Sequence, residues 1–108
     1  MIIRSWNAVA LPRNVEAYAR HFGDSVLPAL RRIAGHKGAY LLKKRGDASV
    51  ELVVLTLWES MEAIHEFAGN IADVAVVEPE AEAVLESFDR KVQHFEVVLS
   101  STGAGSVT

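Results

Sequence analysis

Residues 51–67, ELVVLTLWESMEAIHEF, decide the fold. The run Val50 to Trp58 is nearly continuous in apolar residues and reads as a central strand buried on both faces. Its alternation divides Val50, Leu52, Val54, Thr56 and Trp58 from Glu51, Val53, Leu55, Leu57 and Glu59. Ser60 follows at once as a helix cap, and Glu62 is favourable at the positive end of the helix dipole. Ile64, Phe67 and Ala68 form the helix's apolar stripe, and Gly69-Asn70 ends it. A strand delivered straight onto a helix, with a tryptophan at the join, is the unit around which the chain is organised.

Upstream, Gly46-Asp47-Ala48-Ser49 has hairpin-turn chemistry and links this strand to GAYLLKKR, residues 38–45, read as a second strand. Ile2 to Ala10 reads as the first strand, with Ile2, Arg4, Trp6 and Ala8 facing one way and Ile3, Ser5, Asn7 and Val9 the other. Pro12 suits the start of a helix, and Val15, Tyr18, Ala19, Phe22 and Val26 make its apolar stripe. That helix should end or kink before Pro28, with one more turn at Leu30 and Ile33 and a stop at Gly35. Downstream, residues 71–77 read as irregular or a short helical turn. Pro79 opens a helix over PEAEAVLESF, and Asp89 to Leu99 is the last strand. Residues 1–99 therefore form one domain, and SSTGAGSVT, residues 100–108, is expected to be a disordered tail.

The order is βαββαβ, a ferredoxin-like α+β sandwich. Its helices cover one sheet face. The other face, with Trp6, Tyr40 or their neighbours and half of the third strand, is left apolar and bare. Such a face calls for a partner, and two of them packed together make a homodimer through the sheet face.

Composition narrows the function classes. The chain has 108 residues, 50% of them hydrophobic, which is enough for one core and too short for two domains. A net charge of -3 is not the footprint of a nucleic-acid binder, and Lys43-Lys44-Arg45 reads as a solvated strand end. The absence of cysteine removes disulfides, thiolate metal sites and thiol nucleophiles. The opening MIIRSWNAVALP lacks the long apolar region of a signal peptide, and no apolar run approaches the ~20 residues of a membrane span. The expectation is a cytoplasmic protein without nucleic-acid or membrane partners.

Polar candidates are few. Asn7, in mid-strand where asparagine is disfavoured, is a candidate to hydrogen-bond a substrate oxygen; the alternative is that its amide satisfies nearby backbone. Trp58 has two readings, a core residue locking strand to helix and a pocket wall. Trp6 reads as an interface or core aromatic. His21, His36, His65 and His94 show no metal-binding spacing, so no metal is expected. His65 is a candidate proton acceptor near the pocket helix, with exposure beside Glu62 and Glu66 as the alternative. His94 reads as structural and His36 as solvated. Tyr18 and Tyr40 can each donate a phenolic hydrogen bond. Glu78, Glu80 and Glu82 are a helix-start charge pattern, and there is no Ser-His-Asp or phosphate-loop motif.

Leu55-Thr56-Leu57-Trp58-Glu59-Ser60, followed by a helix with Ala63 and Phe67, resembles the antibiotic biosynthesis monooxygenase superfamily of dimeric α+β barrels. GAYLLKK, SFDRKVQHFEV and the Trp6-Asn7 strand extend the resemblance over roughly residues 1–98. It implies either of two activities. One is cofactor-independent oxidation by O2 of an aromatic or polyketide-like small molecule, with no cofactor. Asn7 and His65 would then be the catalytic candidates, and Trp58, Phe67, Tyr18 and Phe22 would line an apolar pocket between sheet and helices. The other is haem degradation, with a strand asparagine, a helix tryptophan and an axial histidine. Asn7 matches the first of these, but Phe67 stands where the tryptophan is expected and Val77 where the histidine is expected. The same fold also serves non-catalytic ligand-binding or structural dimers.

Overall fold

The computed structural model describes residues 1–101. Strand β3, Val50–Trp58, lies between β1, Ile2–Ala10, and β2, His36–Arg45, antiparallel to both. The free edge of β1 takes two short strands, β4 at Ser87–Phe88 and β5 at Gln93–Glu96. The sheet order β2-β3-β1-β4, with β5 also on β1, is the ferredoxin-like order expected of a βαββαβ chain.

Alternation along β3 is one-sided. Val50, Leu52, Val54, Thr56 and Trp58 are buried, whereas Val53, Leu55 and Leu57 are half-buried and Glu51 is exposed. The expectation of burial on both faces is therefore corrected: helices cover only the even-numbered face. The register of Ile3 with Leu57, Ser5 with Leu55 and Asn7 with Val53 puts the odd residues of β1 on the far face. Tyr40, Leu42 and Phe95 share it and are 57%, 43% and 51% exposed. Trp6 does not lie there. Its even position turns the indole towards the helices, 6.2 Å from both Tyr18 and Phe88.

The helical layer begins with a 3-10 turn at Pro12–Asn14 and helix α1, Val15–His21. Ahead of Pro28 the chain does not stop but widens into a π turn at Phe22–Val26, and the further turn expected at Leu30 is α2, Leu27–Arg31. The amide of Leu27 donates to the carbonyl of Phe22, five residues back. The wider turn carries the helix past a proline that has no N–H to give. Helix α3, Met61–Ala68, is capped as expected: Ser60 Oγ accepts from the amide of Ala63 at 3.2 Å, and Gly69 leaves the helix at φ +82°. Gly35 does more than stop a helix. Its carbonyl accepts from the amide of Glu59 at 2.8 Å, and a Cβ there would collide with that of Ala63.

Of the helix expected over PEAEAVLESF only Pro79–Glu82, α4, forms. The single strand expected from Asp89 to Leu99 is likewise broken. Trp6 Nε1 donates to the carbonyl of Asp89 at 2.7 Å, and residues 90–92 turn away from β1 to pair with residues 73–75. Two bonds hold that pairing, Ala75 N–H to Arg90 carbonyl at 2.9 Å and Val92 N–H to Asp73 carbonyl at 2.8 Å. Most of the tail expected at 100–108 lies outside the described residues.

Candidate functional site

A cavity of about 50 Å³ lies between the inner face of β1 and β3 and the helical layer. Four aromatic rings wall it: Trp6 from β1, Tyr18 from α1, Phe22 from the π turn and Phe67 from α3. Helical spacing brings Tyr18 and Phe22 to one stripe, 6.5 Å apart between rings. Burial pushes the Tyr18 phenol up to about 12, so it is a neutral hydrogen-bond donor at physiological pH. Trp58 stands behind the wall. It is fully buried, 5.9 Å from Phe67, and its indole N–H donates to Thr56 Oγ1 at 2.7 Å. Thr56 itself faces the cavity. Of the residues expected around a pocket, Tyr18, Phe22 and Phe67 are thus together and Trp58 holds two lining residues in place.

Asn7 and His65 are elsewhere. Asn7 is exposed on the helix-free face, where it borders two open clefts of about 450 and 520 Å³. Strand alternation separates it from the aromatic cavity, so the expectation that Asn7 shares one pocket with Trp58 and Phe67 is corrected. His65 is exposed, and its Nδ1 lies 2.8 Å from the Gly69 carbonyl, to which it donates at the end of its own helix. His36, expected to be solvated, is half-buried edge-on against Trp58, with ring centroids 5.2 Å apart. Burial holds its pKa below the ordinary value.

The residue that sequence reasoning passed over is Arg4. It lines the cavity and is only 5% exposed. Nη2 donates to the carbonyls of Ala72 and Val74 at 3.2 and 3.0 Å, and the guanidinium carbon sits 5.6 Å from the Phe67 ring centroid. Nε is buried and has no hydrogen-bond partner among the described residues. Burial lowers the Arg4 pKa to about 10, against the opposing pull of Asp73, so the group stays charged at neutral pH. His94, directly across from it on β5, has Nδ1 3.5 Å from Asp73 Oδ1. Its pKa is lowered by burial first and then by the Arg4 charge. The available signal was the set Ile2, Arg4, Trp6, Ala8: a lone cation on the face of β1 that carries Trp6.

Among the described residues no helix is long and apolar enough to cross a membrane, and no three His, Cys, Asp or Glu converge on a metal position. The sheet order and the one-sided helical cover define a ferredoxin-like α+β fold, with a cavity between sheet and helices. No family model and no curated protein matches the chain in sequence. Solved structures do match. A candidate antibiotic biosynthesis monooxygenase of Bacillus cereus superposes with a TM-score of 0.66 at 18% identity, over 94% of this chain and 97% of that one. The haem degrader MhuD of Mycobacterium tuberculosis, with two haems bound in its active site, gives 0.59 at 23% identity, over 94% and 100%. SnoaB, a cofactor-independent oxygenase of Streptomyces nogalater, gives 0.53 at 14% identity, over 92% and 95%.

The lining residues do not fit a haem in this arrangement. The cavity of about 50 Å³ is far below the about 300–1,000 Å³ of ordinary ligand pockets. Among the described residues Tyr18 is the one lining side chain of a type that ligates haem iron, and burial keeps its phenol protonated. Val77 offers no ligand atom where the resemblance calls for a histidine.

Proposed function

We propose that the protein is a cofactor-independent monooxygenase that oxidises an aromatic or polyketide-like small molecule with O2 and works as a homodimer. The observation that carries this reading is the aromatic cavity between sheet and helices. An anthrone-like substrate enters as its enolate-type carbanion, its ring-methylene proton already released to solvent water. The carbanion passes one electron to O2, and the resulting radicals combine to a peroxide. Loss of water then leaves a carbonyl. One oxygen atom of O2 becomes the carbonyl oxygen, and the other departs as water with the two methylene hydrogens. The neutral Tyr18 hydroxyl and the Arg4 charge are the groups available to the developing oxyanion.

A space of about 50 Å³ admits a molecule of the size of O2 or water but not a fused ring. Substrate entry therefore requires the cover to move. The cover is the stretch 69–78, which has no helix or strand and places Val76, 48% exposed, against the cavity. Oxygen uptake is measured with anthrones and hydroquinones, without added metal or flavin. Uptake above the buffer rate, reduced in Phe67→Ala, is the expected result; uptake at the buffer rate across the panel rejects the reading.

The exposed Tyr40, Leu42 and Phe95 on a helix-free sheet face support the dimer. A second sheet packed there would roof the clefts beside Asn7, which makes that amide a candidate contact to a ligand or to the partner. The second reading, a non-catalytic ligand-binding dimer, draws on one observation: among the described residues no histidine or carboxylate lines the cavity. Ligand binding without O2 uptake would select it.

A further inference from the structure

The aromatic cavity contains a charge that the fold does not answer. Nothing acidic lines it among the described residues. The carboxylate whose charge acts on Arg4 is Asp73, whose side chain is 75% exposed and lies against His94. A structural role explains Nη2, which has two carbonyl acceptors, but leaves Nε buried with none. A buried cation with an unpaired donor is costly unless something completes it. A chain building only an apolar core would place an aliphatic residue at position 4, as it does at Ala8 and Ala10 on the same face.

We propose that the cavity, opened by movement of the cover at 69–78, takes a small planar aromatic molecule bearing one anionic oxygen, and that this oxygen pairs with the Arg4 guanidinium through Nε. The inference rests on the cavity being the ligand site and names the class of ligand. Phenolate, enolate and carboxylate share the required chemistry, an oxyanion on a flat apolar body. The body meets Phe22 and Phe67; the oxyanion meets Arg4 and the neutral Tyr18 hydroxyl. With no base in the lining, a ligand that is already ionised, or whose ionisation the Arg4 charge favours, suits this site better than one needing proton abstraction. Arg4 also holds the cover, because its acceptors Ala72 and Val74 belong to the stretch that carries Val76. Seating the anion and closing the cavity thus depend on one side chain.

Isothermal titration with two matched pairs, benzoate against benzamide and 2-naphthoate against 2-naphthamide, tests this at pH 7.5. The carboxylate of at least one pair is expected to bind about ten- to a hundredfold more tightly, the worth of a hydrogen bond to a charged group. In Arg4→Met the advantage should fall to about twofold or less. Nitrogen-15 spectra of the unaltered protein give a readout that needs no variant: the Arg4 Nε–H resonance should move with the carboxylate and not with the amide. Equal affinity within each pair, a preference that survives in Arg4→Met, or an unmoved Nε–H resonance with carboxylate bound overturns the anion assignment while leaving the aromatic cavity as a ligand site. No binding of any of the four overturns both.

Discussion

Trp58 and Arg4 show how single residues divide the labour of this site. Trp58 is sealed in the core, and its indole N–H depends on Thr56 Oγ1 at 2.7 Å. Thr56→Val keeps the shape and removes the acceptor, so it should lower unfolding free energy by about 1–3 kcal/mol in urea titrations. The histidines carry a pH dependence. The folded-state pKa values of His36 and His94 lie below the ordinary value, His36 through burial and the Arg31 charge, His94 through burial and the charges of Arg4 and His65, against Asp73. As pH falls through about 6.5, the unfolded chain takes up protons that the folded chain refuses, so stability falls. Melting temperature should therefore drop between pH 7.5 and 6, and His94→Asn should flatten part of that slope. Position 4 is readable in the sequence as an even-numbered strand residue beside Trp6. What the sequence does not show is which parity the helices cover, because both faces of β1 mix polar with apolar residues. Asn7 stands out for its poor strand propensity, yet it lies on the uncovered side.

Among the elements, those with a regular apolar period are legible and those shaped by tertiary hydrogen bonds are not. Strand β3, its hand-over at Ser60 and the stripe of α3 follow the sequence closely. The Pro28 region shows a limit of local rules. Proline disfavours a helical Leu27, yet the π turn lets the helix run on beyond Phe22, which ordinary helical spacing from Tyr18 presents to the cavity. The last strand reads as continuous because nothing in Asp89 to Leu99 forbids it; its break falls where Asp89 meets the distant Trp6 indole and residues 90–92 pair with 73–75. Gly35 reads as a helix stop but serves the approach of α3, where an added Cβ would strike Ala63. Gly35→Ala should cost about 1–3 kcal/mol, the range for overpacking, and lower the denaturant midpoint with an unchanged m-value.

For the molecule as a whole, the order strand, helix, two strands, helix, strand is sufficient to specify sheet order, since short connections leave few alternatives. The half-buried Val53, Leu55 and Leu57, with exposed Tyr40, Leu42 and Phe95, form a surface of the kind that association covers. In the homodimer proposed above, Leu42→Lys places like charges near one another across the two-fold axis. Sedimentation should then show a dimer for the unaltered chain at micromolar concentration and a monomer for the variant, with the circular dichroism spectrum unchanged. A monomer in both would remove the dimer.

The split between β4 and β5 has a mechanical consequence. With the Asp89 carbonyl taken by Trp6, residues 90–92 are released from β1 and grip residues 73–75 instead. The link between the two short strands thus clasps the flap over the aromatic chamber through two backbone bonds, and the expected role of the indole bond at the sheet edge is that of a latch. Trp6→Phe keeps a ring in the wall but frees the Asp89 carbonyl. The amides of Ala75 and Val92 should then exchange with deuterium faster than in the unaltered protein, while those of β3 keep their protection.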